Sequence, residues 1–320
     1  METATDIENP ERTMEAVNTI LVTGGSGLLG RTLQPFLPGA VFVSSRDADL
    51  QDPAAAERLI AQHQPKILVH LAARGGGVLE NARFNLDLLE ENLLINTNTL
   101  RAARNAGVRR FILVLSGCVW DLEDGATKTE SSLHDGLPYQ GNLGYAFSKR
   151  TLDIHARLLR NEGCVVDCLV PVTLFGPYDE FDSERGHVVG ALIHRALDAK
   201  RTGAPLRVWG TGKAVRQFLF AEDAARAIAR LLHAPRNDTF ILAADQGITI
   251  AELARKIADL VRPEMEILFD PQAPEGAARK VLSGERWRQA FPDFPFTPLD
   301  EALRITINWY RNEQRRRAEE

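Results

Sequence analysis

The run Gly24-Gly25-Ser26-Gly27-Leu28-Leu29-Gly30 decides the fold of this chain. It follows an apolar stretch, Thr19 to Thr23, whose β-branched residues predict a buried strand, and it opens a segment with helical periodicity from Leu28. Glycines between a strand and a helix allow a tight turn and let the backbone approach a pyrophosphate, which the positive end of the helix dipole stabilises. This context favours a nucleotide-binding turn over a plain turn.

Strands and helices alternate on the C-terminal side of this turn. The patterns predict a strand at Ala40 to Val43, a helix from Pro53, a strand at Ile67 to His70, a helix at Leu86 to Asn105 ending near Gly107, a strand at Arg110 to Leu115, a helix at Gly144 to Arg160 and a strand at Cys164 to Val170. This rhythm is typical of a parallel sheet covered on both faces. The predicted fold class is α/β, a Rossmann-type doubly wound parallel sheet with a smaller α/β substrate-binding lobe.

The end of the second strand indicates which dinucleotide binds. About 20 residues after the glycine turn, an acidic residue would accept hydrogen bonds from the ribose hydroxyls of NAD. The chain instead has Ser44-Ser45-Arg46, and a guanidinium with two hydroxyls suits a 2′-phosphate. The sequence therefore favours NADP(H). The alternative is that Asp47 takes the ribose and Arg46 faces solvent.

The βα rhythm loosens after Pro171, where loops rich in glycine, proline and charge are predicted around Phe175 to Gly186 and Gly203 to Lys213. Helices are predicted near Asp223 to Leu232 and at Ile250 to Val261. We expect a flexible N-terminal tail at 1–17, an NADP-binding Rossmann domain at 18–170, and at 171–320 mainly a substrate-binding lobe, with some segments returning to the Rossmann domain.

Composition excludes several classes of partner. A formal net charge of -5 and a pI near 5.9 give no cationic excess for binding nucleic acid or an anionic membrane surface. No apolar run approaches the roughly 20 residues that a membrane span needs. Cys118, Cys164 and Cys168 are odd in number and lack metal-ligand spacing, so neither a disulfide framework nor a metal site is predicted, and a cytoplasmic location is expected.

Tyr145 and Lys149 form a YxxxK pair on a predicted helix, so both side chains share one face. An ammonium near the tyrosine favours the phenolate and is expected to lower the pKa of Tyr145 toward neutrality, where it can act as a general acid or base. Ser116 follows the strand Phe111 to Leu115, at the sheet edge where doubly wound folds place ligands. Its hydroxyl is expected to hydrogen-bond a substrate carbonyl, so the three residues indicate redox chemistry at a ketone.

Three further features each have two interpretations. Cys118, in the same strand-end loop as Ser116, is either a packing residue or a catalytic thiol. His187 is either a surface histidine or a partner of Cys118. The tract Val208 to Lys213, followed by Arg216, suits either an aromatic platform with a diphosphate site or a turn around a core tryptophan.

From about Thr19 to Tyr310, the chain resembles the extended short-chain dehydrogenase/reductases and, within them, the GDP-L-fucose synthase family. The matching stretches are Val22-Thr23-Gly24-Gly25-Ser26-Gly27-Leu28, His70-Leu71-Ala72-Ala73 with Gly76-Gly77, Asn85-Leu86-Asp87, Gly144-Tyr145 with Lys149, Phe175-Gly176-Pro177, Gly186-His187-Val188 and Val208-Trp209-Gly210-Thr211-Gly212. Their order and spacing are more specific than any single motif.

The resemblance implies a homodimeric, NADPH-dependent 3,5-epimerase/4-ketoreductase of a GDP-4-keto-6-deoxy-hexose. It implies Ser116, Tyr145 and Lys149 as the reductase triad, Cys118 as the epimerisation base and His187 as the acid. It places the cofactor at Gly24, Gly27, Leu28, Leu29, Gly30, Arg46, Asp49, Leu50, Leu71, Ala72, Ala73, Tyr145, Lys149, Pro171 and His187. It places the substrate at Gly117, Thr173, Arg195, Trp209, Arg216 and Lys280.

Departures from the family pattern cluster near the expected substrate. Gly117 replaces a Ser or Thr, Thr173 an Asn, Tyr178 a His, Arg74 a Lys and Gly190 a Pro. They leave three alternatives: an epimerase-only or reductase-only relative acting on another 4-keto nucleotide sugar, a redox-cycling epimerase or dehydratase that keeps its nicotinamide bound, and a non-catalytic NADP-binding regulatory protein. The intact Tyr145/Lys149 pair argues against the last.

Overall fold

The computed structural model describes residues 20–120, 125–182, 186–244, 247–273 and 275–319. The strands are β1 Ile20–Thr23, β2 Val41–Val43, β3 Ile67–His70, β4 Arg110–Val114, β5 Val165–Pro171, β6 Thr173–Phe175, β7 Leu206–Trp209, β8 Val215–Arg216, β9 Phe218–Phe220, β10 Thr239–Leu242, β11 Ile248–Thr249 and β12 Ile267–Asp270. The helices are α1 Leu28–Leu33, α2 Pro53–His63, α3 Val78–Arg83, α4 Asn85–Asn105, α5 Leu143–Asn161, α6 Val188–Thr202, α7 Ala221–His233, α8 Ile250–Val261, α9 Glu285–Ala290 and α10 Leu299–Glu319. The predicted tail at 1–17 and residue Thr19 lie outside these described ranges.

Six parallel strands form the main sheet in the order β10-β5-β4-β3-β1-β2. Continuous buried runs such as Ile20–Thr23 suit this sheet, because helices cover both of its faces. The chain passes from β1 to β2 on one side and returns to β3 on the other, so the strand order reverses at β1. A crevice for ligands opens at the carboxyl ends of strands where the order reverses. The predicted Rossmann-type α/β fold is confirmed.

Most predicted elements are present in the structure. β3 and α8 have the predicted bounds, and α4 and α5 begin and end within one residue of theirs. Gly107, with a φ of 83°, follows α4 in the left-handed conformation expected beyond a helix C-terminus. Helix α6 and strand β10 were not predicted.

Strand β10 returns the chain to the main sheet after residue 171. It pairs with β5 in parallel, with Thr239 opposite Cys168 and Leu242 opposite Pro171. Helix α7, which precedes β10, packs against α1. The division of the chain at residue 170 stays a prediction.

A second hydrophobic core lies among α6, α8 and α10, with Leu192, Ile257 and Leu303 fully buried. Helix α8 begins with a capping box, in which Thr249 and Glu252 bond each other's backbone N–H groups. His187 is the N-cap of helix α6, and Gly203, in the left-handed conformation, is its C-cap. This second core therefore holds the helix start that carries His187. None of the helices in the described ranges is long and apolar enough to cross a membrane.

Candidate active site

The carboxyl ends of the parallel strands open onto one cavity of about 570 Å³, which we call the main cavity. Leu71 follows β3, Ser116 follows β4 and Pro171 ends β5, and all three line this cavity. The opposite side is formed by the first turn of α6 and by Trp209 at the end of β7. The sheet edge and the second core therefore meet around a single site.

The glycine turn between β1 and α1 allows the closest backbone approach. Gly24 has a φ of 74°, and a Cβ there would lie 2.7 Å from the backbone nitrogen of Ala72. A Cβ on Gly30 would lie 2.3 Å from the carbonyl oxygen of Gly24. Gly27 is the N-cap of α1 and presents no side chain at the helix start. The three glycines form a bare, tightly packed turn that fits the approach of a dinucleotide pyrophosphate.

The other residues expected at the cofactor fall into two groups. Those that line the main cavity are Leu28, Leu29, Leu71, Ala73, Tyr145, Lys149, Pro171 and His187. Arg46, Asp49 and Leu50 do not line it but follow β2 at the same sheet edge, and Ala72 is held by a bond from its backbone nitrogen to the Thr23 hydroxyl, at 3.3 Å. Arg46, Asp49 and Leu50 thus lie beyond the end of β2, and Ala72 packs against Gly24 of the glycine turn.

Arg46 and Asp47 differ in whether their side chains already form hydrogen bonds within the protein. The Asp47 carboxylate accepts hydrogen bonds from the backbone nitrogen and the hydroxyl of Ser44, at 2.7 and 2.8 Å, and these bonds lower the pKa of Asp47. The Arg46 side chain is exposed and makes no hydrogen bond or salt bridge within the described ranges. This arrangement leaves the guanidinium available for a phosphate and turns the Asp47 carboxylate toward its own turn.

Ser116, Cys118 and Lys149 lie together at the end of β4. The Cys118 thiol lies 3.2 Å from the Ser116 hydroxyl oxygen, and the Lys149 ammonium donates a hydrogen bond to the Val114 carbonyl at 2.9 Å. Burial lowers the pKa of Lys149 to about 8, and the nearby Cys118 opposes that shift. The five residues expected to be catalytic, Ser116, Cys118, Tyr145, Lys149 and His187, all line the main cavity.

The expected lowering of the Tyr145 pKa is wrong for the protein without ligands. Burial raises the pKa of Tyr145, the proximity of Cys118 raises it further, and Ser116 lowers it only in part. Lys149 is not among the groups that shift the pKa of Tyr145, and its ammonium donates a hydrogen bond to the Val114 carbonyl. Tyr145 therefore remains protonated and is suited to donate a proton.

His187 projects from the N-cap of α6 into the main cavity. The His187 side chain is exposed to the open space of the cavity. Protein atoms nevertheless surround the imidazole and displace water from it, and this burial lowers the pKa of His187. The positive charge of Lys280 lowers it further, and Lys280 also interacts with Cys118. Cys118, His187 and Lys280 therefore form one electrostatic cluster.

The residues expected at the substrate, Gly117, Thr173, Arg195, Trp209, Arg216 and Lys280, all line the main cavity. The Arg195 guanidinium lies 4.3 Å from the centre of the Trp209 ring, which is a cation–π contact. Arg216 bonds the carbonyl oxygens of Val215 and Glu275, at 2.9 and 3.3 Å. Trp209 is thus a partly exposed platform beside cations and not a core tryptophan.

Several polar residues of the cavity were missed by the sequence analysis. They are Asn81, Tyr139, Asn142, Asp179 and Glu275. Burial raises the pKa of Asp179 to about 7, and its Oδ2 has no hydrogen-bond partner within the described ranges. The run Gly75-Gly76-Gly77 also lines the cavity. A glycine run after a strand indicates a close approach of the backbone, and this run was the one sequence signal near Asn81.

The parts of the chain that the structure describes contain no cluster of His, Cys, Asp or Glu side chains arranged to hold a metal ion. Cys118, Cys164 and Cys168 are buried free thiols. Cys168 lies on β5 of the main sheet, where burial raises the pKa of its thiol to about 12. Cys118 is the thiol that reaches the main cavity.

Known proteins resemble this chain over nearly its whole length. A probable GDP-L-fucose synthase of Drosophila melanogaster is 32% identical over 91% of this chain and 96% of its own length. The GDP-L-fucose synthase of Dictyostelium discoideum is 30% identical over 91% of this chain and 95% of its own. The crystal structure of a GDP-L-fucose synthetase from Naegleria fowleri bound to NADP superimposes with a TM-score of 0.86, at 32% identity over 92% of this chain and 93% of that one.

A family model places these similarities in a wider group. The model for the NAD dependent epimerase/dehydratase family matches residues 20–243, which include the glycine turn, the YxxxK pair and the main-sheet strand β10. With that match and the relatives above, this chain belongs to the NAD dependent epimerase/dehydratase family.

Proposed function

We propose that this chain is an NADPH-dependent bifunctional enzyme that epimerises C3 and C5 of a GDP-4-keto-6-deoxy-hexose and reduces its C4 ketone, giving GDP-L-fucose or a close relative. The observation that carries the proposal is the convergence of an acid, a thiol and an imidazole on one cavity between a glycine turn and an aromatic, cationic wall. The similarity to GDP-L-fucose synthases supports the choice of substrate.

The epimerisation step uses the acidity that a ketone gives to its neighbouring carbons. In this proposal the C4 carbonyl lies beside Tyr145 and Ser116, whose hydroxyls donate hydrogen bonds to the enolate oxygen as it forms. The Cys118 thiolate removes a proton from C3 or C5, and His187 returns one from the opposite face. The low pKa of His187 makes its protonated form a stronger acid, which favours that transfer.

The reduction step uses the same carbonyl position. NADPH, when bound against the glycine turn, supplies the hydride that C4 requires. Tyr145 holds its proton because burial raises its pKa, so it donates that proton to the C4 oxygen. Lys149 and Lys280 bring positive charge to the site, and Trp209, Arg195 and Arg216 hold the nucleoside diphosphate end.

A narrower function is the second candidate: epimerisation alone or reduction alone, on another 4-keto nucleotide sugar. It is favoured by the position of two family departures, Gly117 and Thr173, in the wall of the main cavity. A Cβ on Gly117 would lie 2.9 Å from Leu282 Cδ1, so Leu282 fills the space of the missing side chain.

The test is to incubate the protein with GDP-4-keto-6-deoxy-mannose and NADPH and to identify the product by NMR. We expect GDP-L-fucose with consumption of NADPH, and much slower turnover with NADH. A product reduced at C4 without inversion would indicate the reductase-only candidate. Solvent deuterium in the ketone without reduction would indicate the epimerase-only candidate. If the protein catalyses neither reaction, the proposal is overturned.

We also propose a homodimer formed through α4 and α5. These helices pack against each other and leave large apolar side chains on the surface. The exposed apolar side chains are Leu86 and Leu94 on α4 and Phe147, Ile154 and Leu158 on α5. The three on α5 are spaced by seven and four residues, which places them in one stripe that a second copy can cover.

A cytoplasmic location is also part of the proposal. Its support is the state of the cysteines, since Cys118, Cys164 and Cys168 are free and a catalytic thiol requires a reducing compartment. Fractionation of cells that express the chain at its native level tests this, and recovery from an oxidising compartment would contradict it.

A further inference from the structure

Two asparagines in the wall of the main cavity have no role in the mechanism above. Asn81 lies on α3, and Asn142 is the N-cap of α5, three residues before Tyr145. Helix α3 packs against the turn at 140–142, so the two residues belong to one wall. Gly75, three residues before α3, also lines the cavity and lies against Tyr145, because a Cβ on Gly75 would lie 3.2 Å from Tyr145 Cε2.

Both asparagines hold an amide oxygen that is buried and lacks a hydrogen-bond partner within the described ranges. For Asn81 the identity of the free atom is fixed, because its Nδ2 donates to the Gly76 carbonyl at 2.9 Å. Asn142 occupies a helix cap, but its side chain makes no capping hydrogen bond. A buried amide oxygen without a donor costs roughly 1 to 3 kcal/mol, so two in one wall require an explanation.

The substrate class proposed above carries the matching donors. A 4-keto-6-deoxy-hexose that is joined to GDP through C1 has free hydroxyls only at C2 and C3, since C4 is a ketone, C5 closes the ring and C6 is a methyl group. Tyr145, which bonds the C4 oxygen in the proposed mechanism, lies three residues after Asn142 and against Gly75. The C3 hydroxyl is attached to the carbon next to C4, and the C2 hydroxyl follows it.

We propose that the amide oxygens of Asn81 and Asn142 accept hydrogen bonds from the C2 and C3 hydroxyls of the hexose and thereby orient the ring for Tyr145. This inference rests on the proposed function. Tyr139, in the same wall, interacts with Arg216 and so lies toward the diphosphate. In this proposal one end of the wall binds the sugar, and the other end lies beside the diphosphate of the nucleotide.

The test combines protein variants with deoxy substrates. Asn81→Ala and Asn142→Ala are expected to raise KM for the 4-keto substrate about 3- to 10-fold, the range of one neutral hydrogen bond, while the affinity for NADPH stays unchanged. Asn142→Asp keeps an acceptor oxygen and is expected to restore most of the loss. Asn308→Ala, on the exposed surface of α10, is the matched control.

The 2-deoxy and 3-deoxy analogues separate recognition from a structural role. For each asparagine, the wild type should lose a similar factor with the analogue that lacks its hydroxyl, and the alanine variant should lose nothing further with that analogue. If the loss from the alanine substitution and the loss from the deoxy analogue multiply in every combination of variant and analogue, the inference is overturned and the proposed function stays intact. A wild type that neither binds nor turns over the GDP-linked ketone would overturn both.

Discussion

The thiol of Cys118 lies 3.2 Å from the hydroxyl oxygen of Ser116, two residues earlier in the same loop at the end of β4. In the proposed mechanism the loop thereby presents a base, Cys118, and a hydrogen-bond donor, Ser116, to the same ligand. Proton abstraction next to a carbonyl needs both groups, because the carbanion is stabilised only while the carbonyl oxygen is bonded.

The first prediction separates Cys118 from the reductase residues. Cys118→Ser should suppress incorporation of solvent deuterium into the 4-keto sugar in the absence of NADPH, since a serine hydroxyl is a far weaker base than a thiolate. Slow reduction of the unepimerised ketone should remain. His187→Gln should impair completed inversion more than initial exchange. NMR of the recovered sugar measures both effects, and exchange at the wild-type rate in Cys118→Ser would make the thiol a packing residue only.

The second prediction concerns Tyr145. Tyr145→Phe removes the proton donor but keeps the ring that packs against Gly75, so the rate of ketone reduction should fall by roughly 10²- to 10⁴-fold. The dissociation constant of NADPH, measured by fluorescence, should change little. Near-normal turnover in this variant would exclude Tyr145 as the acid.

The third prediction tests the choice of cofactor. Arg46→Ala should remove most of the preference for NADPH over NADH, because one charge-assisted phosphate contact is worth about tenfold in affinity or more. Arg58→Ala is the control, since Arg58 lies on α2 with a highly exposed side chain that pairs with Asp52. Equal affinities for the two cofactors in the wild type would refute the assignment.

The fourth prediction follows from the pKa of Lys149, which burial lowers to about 8. Lys149 is charged below that pH and neutral above it, so a reduction rate that needs the ammonium should be level below pH 8 and fall above it. The unfolded chain holds this proton up to about pH 10.4, so the charged form opposes folding increasingly as the pH falls from 10.4 to 8. Lys149→Met should abolish the alkaline limb of the rate profile and lower the rate throughout. A limb that persists in this variant would assign it to another group.

The fifth prediction addresses assembly. Ile154→Glu and Leu158→Glu place charge in the exposed apolar stripe of α5 and should convert a dimer into monomers, because a buried, unpaired carboxylate is strongly unfavourable at an interface. Ile305→Glu, on the exposed face of α10, is the control. Sedimentation velocity distinguishes the species, and an unchanged dimer would exclude this surface.

The sequence predicted the elements whose local signals are strong. β3 is an isolated apolar run, and α8 combines a capping box with an apolar face, so both bounds were correct. β10 was missed although Thr239–Leu242 is as short and apolar a run as β3; its pairing with β5, about seventy residues earlier in the chain, is not visible in the sequence. Helix α6 follows a polar loop whose charge obscured its start.

The site was predictable where residues follow strand ends or match a motif, as Ser116 and Tyr145 do. The wall of Asn81, Tyr139 and Asn142 was not, because it is made from a short helix and a turn that come together only in three dimensions. The direction of the Tyr145 pKa shift was also missed. Sequence spacing places Lys149 one turn away, but it cannot show that burial and the proximity of Cys118 raise the pKa of Tyr145.

Because β10 pairs with β5, the segment up to residue 171 cannot form the complete main sheet without the segment that follows it. β5 is buried on both faces, and a polypeptide that ends anywhere between residues 171 and 239 leaves its outer edge bare. An unpaired apolar edge is a template for intermolecular strand addition. During synthesis the main sheet therefore stays incomplete until β10 has been made, so the strands before residue 171 and the segment after it complete their fold together.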